Sequence, residues 1–218
     1  MIRTVQSVPA IATGTPESSV GAGLLIGVYA LQGDFMEHEA MLRTLGADTR
    51  QIRKPQQLAG IDGIVIPGGE STTIDKLSRI FGLAEPLHQL LQQGLPALAT
   101  CAGLIYLASH VEDEAPGQQT LACLDVTVRR NAFGSQLDSF IMSLDVDGVG
   151  EGVPAAFIRG PVVTEVGEKA RTIARLADGR AVGVQQGDIV ALAFHPEQTD
   201  DTRLMAWWLS LVRAHSQQ

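Results

Sequence analysis

Short apolar runs alternate with helix-length segments between residues 24 and 110, and this alternation constrains the fold more than any other feature of the chain. Residues 24–31 are apolar almost without interruption, and 61–66 and 96–100 form shorter runs of the same kind. A strand buried on both faces reads this way, because neither side of its pleat meets water. Residues 48–53 read as a further strand. Residues 35–45, 73–81, 84–93 and 103–110 read as helices, with Gly46, Gly82 and Gly94 as stops. Strand and helix in regular succession predict an α/β fold with a mostly parallel central sheet and helices on both faces.

After Glu112 the rhythm changes. Residues 124–130, 136–146, 155–159 and 181–194 read as strands, with turn signals at Asp178-Gly179 and Gln186-Gly187-Asp188. The second half is therefore expected to be strand-rich, mixed or antiparallel, and closed by a helix over 202–215. Residues 1–23 carry Ser, Thr, Pro and Gly without apolar periodicity. They read as a flexible extension ahead of one domain spanning 24–218.

Bulk properties remove several function classes. A formal charge of −8 and a pI near 5.0 argue against nucleic acid or an anionic membrane as partner, since phosphate binding needs a basic footprint. No apolar run reaches membrane-spanning length. No basic region followed by an apolar stretch opens the chain, so a secretory signal is not expected. Two cysteines without a C-x-x-C pair give neither a disulfide framework nor a thiolate zinc site, and they suit a reducing cytoplasm.

Three segments carry potential chemistry. Cys101 follows a strand and precedes Ala102-Gly103 at a helix start. A sharp turn there aims the thiol outward, the helix N-terminus favours thiolate, and the Ala102 N–H can face a developing oxyanion. A buried structural cysteine is the competing reading. His195-Pro196-Glu197 ends another apolar run. If extended, this segment puts imidazole and carboxylate on one side, where the acid can hold the base's tautomer; the competing reading is a polar strand end. Pro67-Gly68-Gly69-Glu70-Ser71-Thr72-Thr73 joins a strand to a helix, as an anion-binding loop or as a plain turn with Ser71 or Thr72 as N-cap. Arg159 ends an apolar run and can reach the same sheet edge, unless it and Arg129-Arg130 are plain surface residues. Cys123 reads as core, His38, His88 and His110 as polar-face or helix-end residues. One of Trp207 and Trp208 is expected to be exposed.

Six segments occur together in order: Ala30-Leu31-Gln32-Gly33-Asp34-Phe35, the Gly68-Gly69 loop, Thr100-Cys101-Ala102-Gly103-Leu104-Ile105, Arg130-Asn131-Ala132-Phe133-Gly134, Phe157-Ile158-Arg159 and Phe194-His195-Pro196-Glu197. In this the chain resembles the class I glutamine amidotransferases, and within them the glutaminase subunits of pyridoxal 5′-phosphate synthase, over residues 25–215. The resemblance implies a flavodoxin-like three-layer sandwich. It implies Cys101 as nucleophile, His195 as base and acid, and Glu197 as its orienter. It also implies a glutamine site of Gly69, Glu70, Ser71, Arg130, Ile158 and Arg159, with Gly69 and Ala102 at the oxyanion hole. No cofactor or metal is implied. The ammonia would pass to a TIM-barrel synthase subunit, and Gln32 is expected at that interface. Ala99 stands where many class I members have glycine, and Tyr29 where an aliphatic residue is usual. A hydrolase of another acyl substrate and a non-catalytic docking subunit are the alternatives; the two arginine segments speak against the first, intact Cys101, His195 and Glu197 against the second.

Overall fold

Parallel pairing builds the centre of the fold in a computed structural model, which describes residues 19–130 and 139–217. The strands β1 (Leu25–Tyr29), β2 (Asp48–Ile52), β3 (Gly63–Ile66) and β4 (Ala97–Thr100) alternate with the helices α1 (Phe35–Thr44), α2 (Ser71–Ile80) and α3 (Ala84–Gln92). After α4 (Ala102–Leu107) come β5 (Ala108–Val111), β6 (Leu124–Arg129), β7 (Phe140–Val146), β8 (Gly150–Phe157), β9 (Val162–Val166), β10 (Arg171–Arg175), β11 (Ala181–Gln186) and β12 (Ile189–Leu192). Helix α5 (Arg203–His215) closes the chain.

The main path of the sheet runs β2-β1-β3-β4-β12-β11-β10-β7-β8, with β5, β6 and β9 branching from it. The pairs β1/β2, β1/β3, β3/β4 and β4/β12 are parallel. From β12 outward the main path is antiparallel. The parallel character expected of the sheet is thus concentrated in β2, β1, β3, β4 and β12, and the strand-rich second half is mixed, mainly antiparallel but with β12 parallel to β4 and β6 parallel to β5. The chain steps from β1 to β2 in one direction and from β3 to β4 in the other. Right-handed crossovers then put α1 and the α2–α3 pair on opposite faces. The reversal leaves a crevice at the carboxyl ends of β1 and β3, the usual ligand position in such sheets.

Several elements differ from the sequence expectation. The helix expected over 103–110 stops at Leu107, and Ala108–Val111 becomes β5, paired parallel with β6. A six-residue helix has little stability of its own, and pairing with a neighbouring strand overrides local propensity. Strands β9 and β10 were not expected. Their sequences, VVTEV and RTIAR, are short and half polar, so they carry little of the apolar signal that marks a buried strand. Strand β8 starts earlier than expected and ends at Phe157, because Gly150, Gly152 and Pro154 mask its first half. Trp207 and Trp208 are both fully buried, since Leu204 to Leu209 are all buried and the helix is covered on more than one stripe. Residues 1–18 of the expected extension lie outside the described residues. Residues 19–23 form a turn in which Gly21 N–H donates to Leu45 O at 2.8 Å, while Arg213 Nη2 donates to Val20 O and Ala22 O at 2.9 and 2.7 Å.

Candidate active site

Four neighbouring parallel strands end at one edge, and each delivers part of a single site. Strand β4 delivers Cys101. Its backbone sits at φ 48°, ψ −102°, a conformation that costs a non-glycine residue about 1–3 kcal/mol. The surroundings hold it there: its N–H donates to Leu192 O at 2.8 Å and its carbonyl accepts from Ile105 N–H at 3.3 Å. The thiol Sγ lies 3.9 Å from Ile158 O.

Strand β12 leads to His195, whose N–H donates to Ala156 O at 2.8 Å and so ties it to β8. The segment is not extended as expected. Pro196–Gln198 is a 3-10 turn, because the fixed φ of Pro196 suits the first position of a helical turn. The turn still curls the carboxylate back onto the ring: Glu197 Oε1 lies 2.7 Å from His195 Nδ1. Asp34 Oδ2, from the loop after β1, lies 3.4 Å from the same nitrogen. His195 Nε2 is buried and makes no formed hydrogen bond, while Cys101 lies close enough to interact with the ring. Burial alone would push the imidazolium's pKa down. The interactions with Cys101 and the Glu197 carboxylate outweigh it and raise the pKa to about 10. Burial likewise opposes charge on Glu197, but His38 and His195 outweigh it and hold the carboxyl below its usual range.

Strand β3 leads into the glycine loop. A Cβ on Gly68 would stand 2.3 Å from His195 Cε1, so only glycine lets the imidazole lie against this loop. Gln32 Oε1 accepts the Glu70 N–H at 2.6 Å, which joins the β1 loop to the β3 loop. Ser71 begins α2; neither it nor Thr72 is the N-cap, a position that falls to Glu70.

Gln32, Asp34, Gly69, Glu70, Ser71, Cys101, Arg130, Ile158, Arg159 and His195 line one cavity of about 440 Å³. Ala102 stands one residue behind the thiol as the first residue of α4, and it is buried. Arg159, at φ 48°, leaves β8 to reach the cavity. Arg129 instead pairs with Glu112 at 2.7 Å. Residues 131–134 of the arginine segment lie outside the described residues.

Other residues at the site were not singled out from sequence. Gln118, almost fully buried, accepts from Arg130 Nη1 and donates to Ser71 Oγ, each at 3.1 Å, so it joins two cavity walls. It lies in a polar stretch with no pattern to mark it. His38 was expected on a polar face, yet it is fully buried, with Nε2 3.3 Å from Glu197 Oε2 and 3.1 Å from Thr100 Oγ1. Its spacing four residues after Asp34, one turn along α1, is the signal that could have found it. Asp34, His195 and Glu197 offer ligand atoms within 4.8 Å of one another, the single such cluster among the described residues. Nδ1 of His195 is already committed to Glu197, and an imidazolium held to high pH opposes a cation there.

A thiol beside an imidazole, a carboxylate on the ring's far side and a cavity with two arginines suit acyl transfer from a small polar substrate. Comparisons with known proteins agree with this chemistry. Residues 28–214 match the SNO glutamine amidotransferase family. The chain is 59% identical over 194 residues to the pyridoxal 5′-phosphate synthase subunit PdxT of Cutibacterium acnes, covering 86% of this chain and 96% of that protein. It is 55% identical over 197 residues to the subunit of the same name from Corynebacterium glutamicum, covering 89% and 98%. A crystal structure described as a glutamine amidotransferase superposes with a TM-score of 0.81 at 43% identity, covering 86% of this chain and 98% of that one. PurLQS from Thermotoga maritima shares the fold at a TM-score of 0.66 and 15% identity, covering 88% and 98%.

Proposed function

The chain belongs to the SNO glutamine amidotransferase family, and from that premise we propose how its residues perform the work of a glutaminase subunit of pyridoxal 5′-phosphate synthase. It hydrolyses L-glutamine to L-glutamate and ammonia, and the ammonia goes to the synthase subunit. The observation that carries the assignment of roles is the imidazole of His195, with Glu197 on Nδ1 and Cys101 against the other side of the ring.

The Cys101 thiolate attacks the side-chain amide carbon of glutamine, and the carbonyl π electrons move onto oxygen. The N–H of Ala102 and amides near Gly69 stabilise that oxyanion. The intermediate collapses, the C–N bond breaks, and the proton on His195 goes to the departing nitrogen as ammonia leaves. Water then attacks the γ-glutamyl thioester. His195 takes the water's proton, and the S–C bond breaks to give glutamate and thiolate. Glu197 keeps Nδ1 protonated and the ring aligned throughout. Glu70, Ser71, Arg130, Ile158 and Arg159 hold the substrate, with Arg130 and Arg159 complementing its α-carboxylate. These side chains, the backbone amides and water carry every step, and the reading calls for neither cofactor nor metal.

Gln32 belongs to the docking surface, and its synthase partner is a TIM barrel. The support is position: Gln32 lines the cavity and holds Glu70 N–H, so a contact there bears directly on the loop that faces the substrate. The reaction takes place in the cytoplasm, a reading supported by two cysteines that are both free. Residues 24–218 act as one domain, in keeping with a family match over residues 28–214, and residues 19–23 are bonded onto it through Leu45 and Arg213.

The test is glutamate formation from glutamine by the wild type and by Cys101→Ala, each with and without the synthase subunit. Low basal activity that rises with the synthase and vanishes in Cys101→Ala is the expected outcome. Turnover that survives Cys101→Ala would remove the thioester mechanism, and full activity without the synthase would remove the coupling.

A further inference from the structure

The orienting carboxylate Glu197 has two oxygens, and the mechanism above uses one. Oε1 accepts from His195. Oε2 is buried and has no formed hydrogen bond; the group nearest to satisfying it is His38 Nε2, at 3.3 Å. A buried carboxylate oxygen without a donor is costly, and it frees the carboxylate to rotate away from its working partner.

His38 lies on α1, which packs against the 3-10 turn carrying Glu197. Its Nε2 also meets the hydroxyl of Thr100, the residue before the nucleophile. One ring nitrogen therefore stands between the strand end that presents Cys101 and the carboxylate that orients His195. The other nitrogen, Nδ1, is buried without a partner. Of the two neutral tautomers, the one with hydrogen on Nε2 presents that hydrogen to Thr100 Oγ1 at 3.1 Å and to Glu197 Oε2 at 3.3 Å together, and leaves only an acceptor lone pair unused. The other would bury an N–H with no acceptor and set the Nε2 lone pair against a carboxylate.

We propose that neutral His38, with its hydrogen on Nε2, is a positioning residue that clamps Glu197 Oε2 and thereby holds Oε1 on His195. Burial favours the neutral ring and pushes the pKa of His38 down, against the pull of Glu197. His38 is faced by Glu197 and His195 from the 3-10 turn segment, by Asp34 from the loop before α1 and by Glu37 from its own helix. Glu197 is faced by His38 and His195, and Asp34 interacts with it as well. Cys101, at the end of β4, interacts with His195. His38 does not line the cavity, so the proposal separates orientation from substrate binding.

The proposal rests on the glutaminase reading, and its test uses the chain together with the synthase subunit. His38→Ala and His38→Leu remove the donor; His38→Gln restores an N–H near the position of Nε2. The first two should lower kcat about tenfold or more, the equivalent of one hydrogen bond to a charged group, with KM for glutamine unchanged. Without the donor, the Glu197 carboxyl protonates at higher pH, so the acidic limb of the kcat profile should move upward; His38→Gln should return both values toward wild type. A folded His38→Ala or His38→Leu with unchanged kcat and limb would overturn the proposal. A loss of rate with an unmoved limb and no rescue would reduce His38 to packing. Nitrogen-15 shifts of the wild-type imidazoles give a reading that needs no variant and no turnover: a neutral ring protonated on Nε2 at neutral pH is expected for His38, and an Nδ1–H tautomer or an imidazolium would overturn the clamp. Absence of wild-type turnover would count against the glutaminase reading and leave that spectroscopic result to decide the clamp.

Discussion

At the scale of single residues, the candidate site depends on close approach as much as on reactive groups. The His195 ring occupies the space a Gly68 side chain would need, so Gly68→Ala pushes the imidazole off its line between Glu197 and Cys101. We expect kcat to fall roughly 100-fold, the effect of displacing the imidazole by about 1 Å, and stability to fall by about 1–3 kcal/mol, because Gly68 is buried and an added Cβ overpacks the site. Steady-state kinetics beside urea denaturation separates the two. Cys101 and His195 were legible because each ends an apolar run, which places it at a strand end. Glu197 was legible by its spacing from His195, although the backbone between them is a 3-10 turn. His38 and Gln118 were not legible. A histidine inside an amphipathic helix and a glutamine in a polar stretch look alike whether they face water or a buried carboxylate, and the difference is set by elements distant in sequence.

At the scale of elements, the turn that carries Cys101 holds because α4 can lie directly on β3. A Cβ at Gly103 would meet Ile66 O at 2.2 Å, a contact with backbone that no rotamer relieves. Gly103→Ala is expected to destabilise the fold by about 1–3 kcal/mol, as overpacking does, read from urea unfolding; an unchanged midpoint would show that α4 can shift without cost. The parallel strands and the helices between them were legible through their apolar runs and glycine stops. The second half was legible as strand-rich and as mixed or antiparallel, but not strand by strand. β5 lies where local sequence favours helix, and β9 and β10 carry too few apolar residues to announce themselves; pairing with β6 and β11 makes them strands. The β7–β8 hairpin matters most to the site, since it carries Ile158 and Arg159 to the cavity and bonds His195 through Ala156.

At the scale of the whole molecule, the site's electrostatics are linked to folding. His195 has a pKa raised to about 10 against an ordinary 6.5. In that window the folded chain binds more protons than the unfolded one, so stability falls as pH rises. The contribution is fully present below about pH 6.5 and lost as pH passes about 10. Relative to His195→Asn, the wild type should therefore lose stability progressively from pH 6.5 to 10 in urea titrations; parallel curves would show that His195 titrates normally. The Glu197 carboxyl, held below its usual range, contributes with the opposite sign and is lost as pH falls through its lowered value. Overall charge, at −8, repels phosphate-rich partners, and Arg130 and Arg159 set positive charge locally in the cavity wall. The central claim is that Cys101 carries the γ-glutamyl group. Acid quench of the chain turning over glutamine with its synthase, followed by peptide mass spectrometry, reads this directly. The account predicts a γ-glutamyl mass gain confined to the Cys101 peptide and lost in Cys101→Ala; steady turnover with no adduct, persisting in Cys101→Ala, would contradict it.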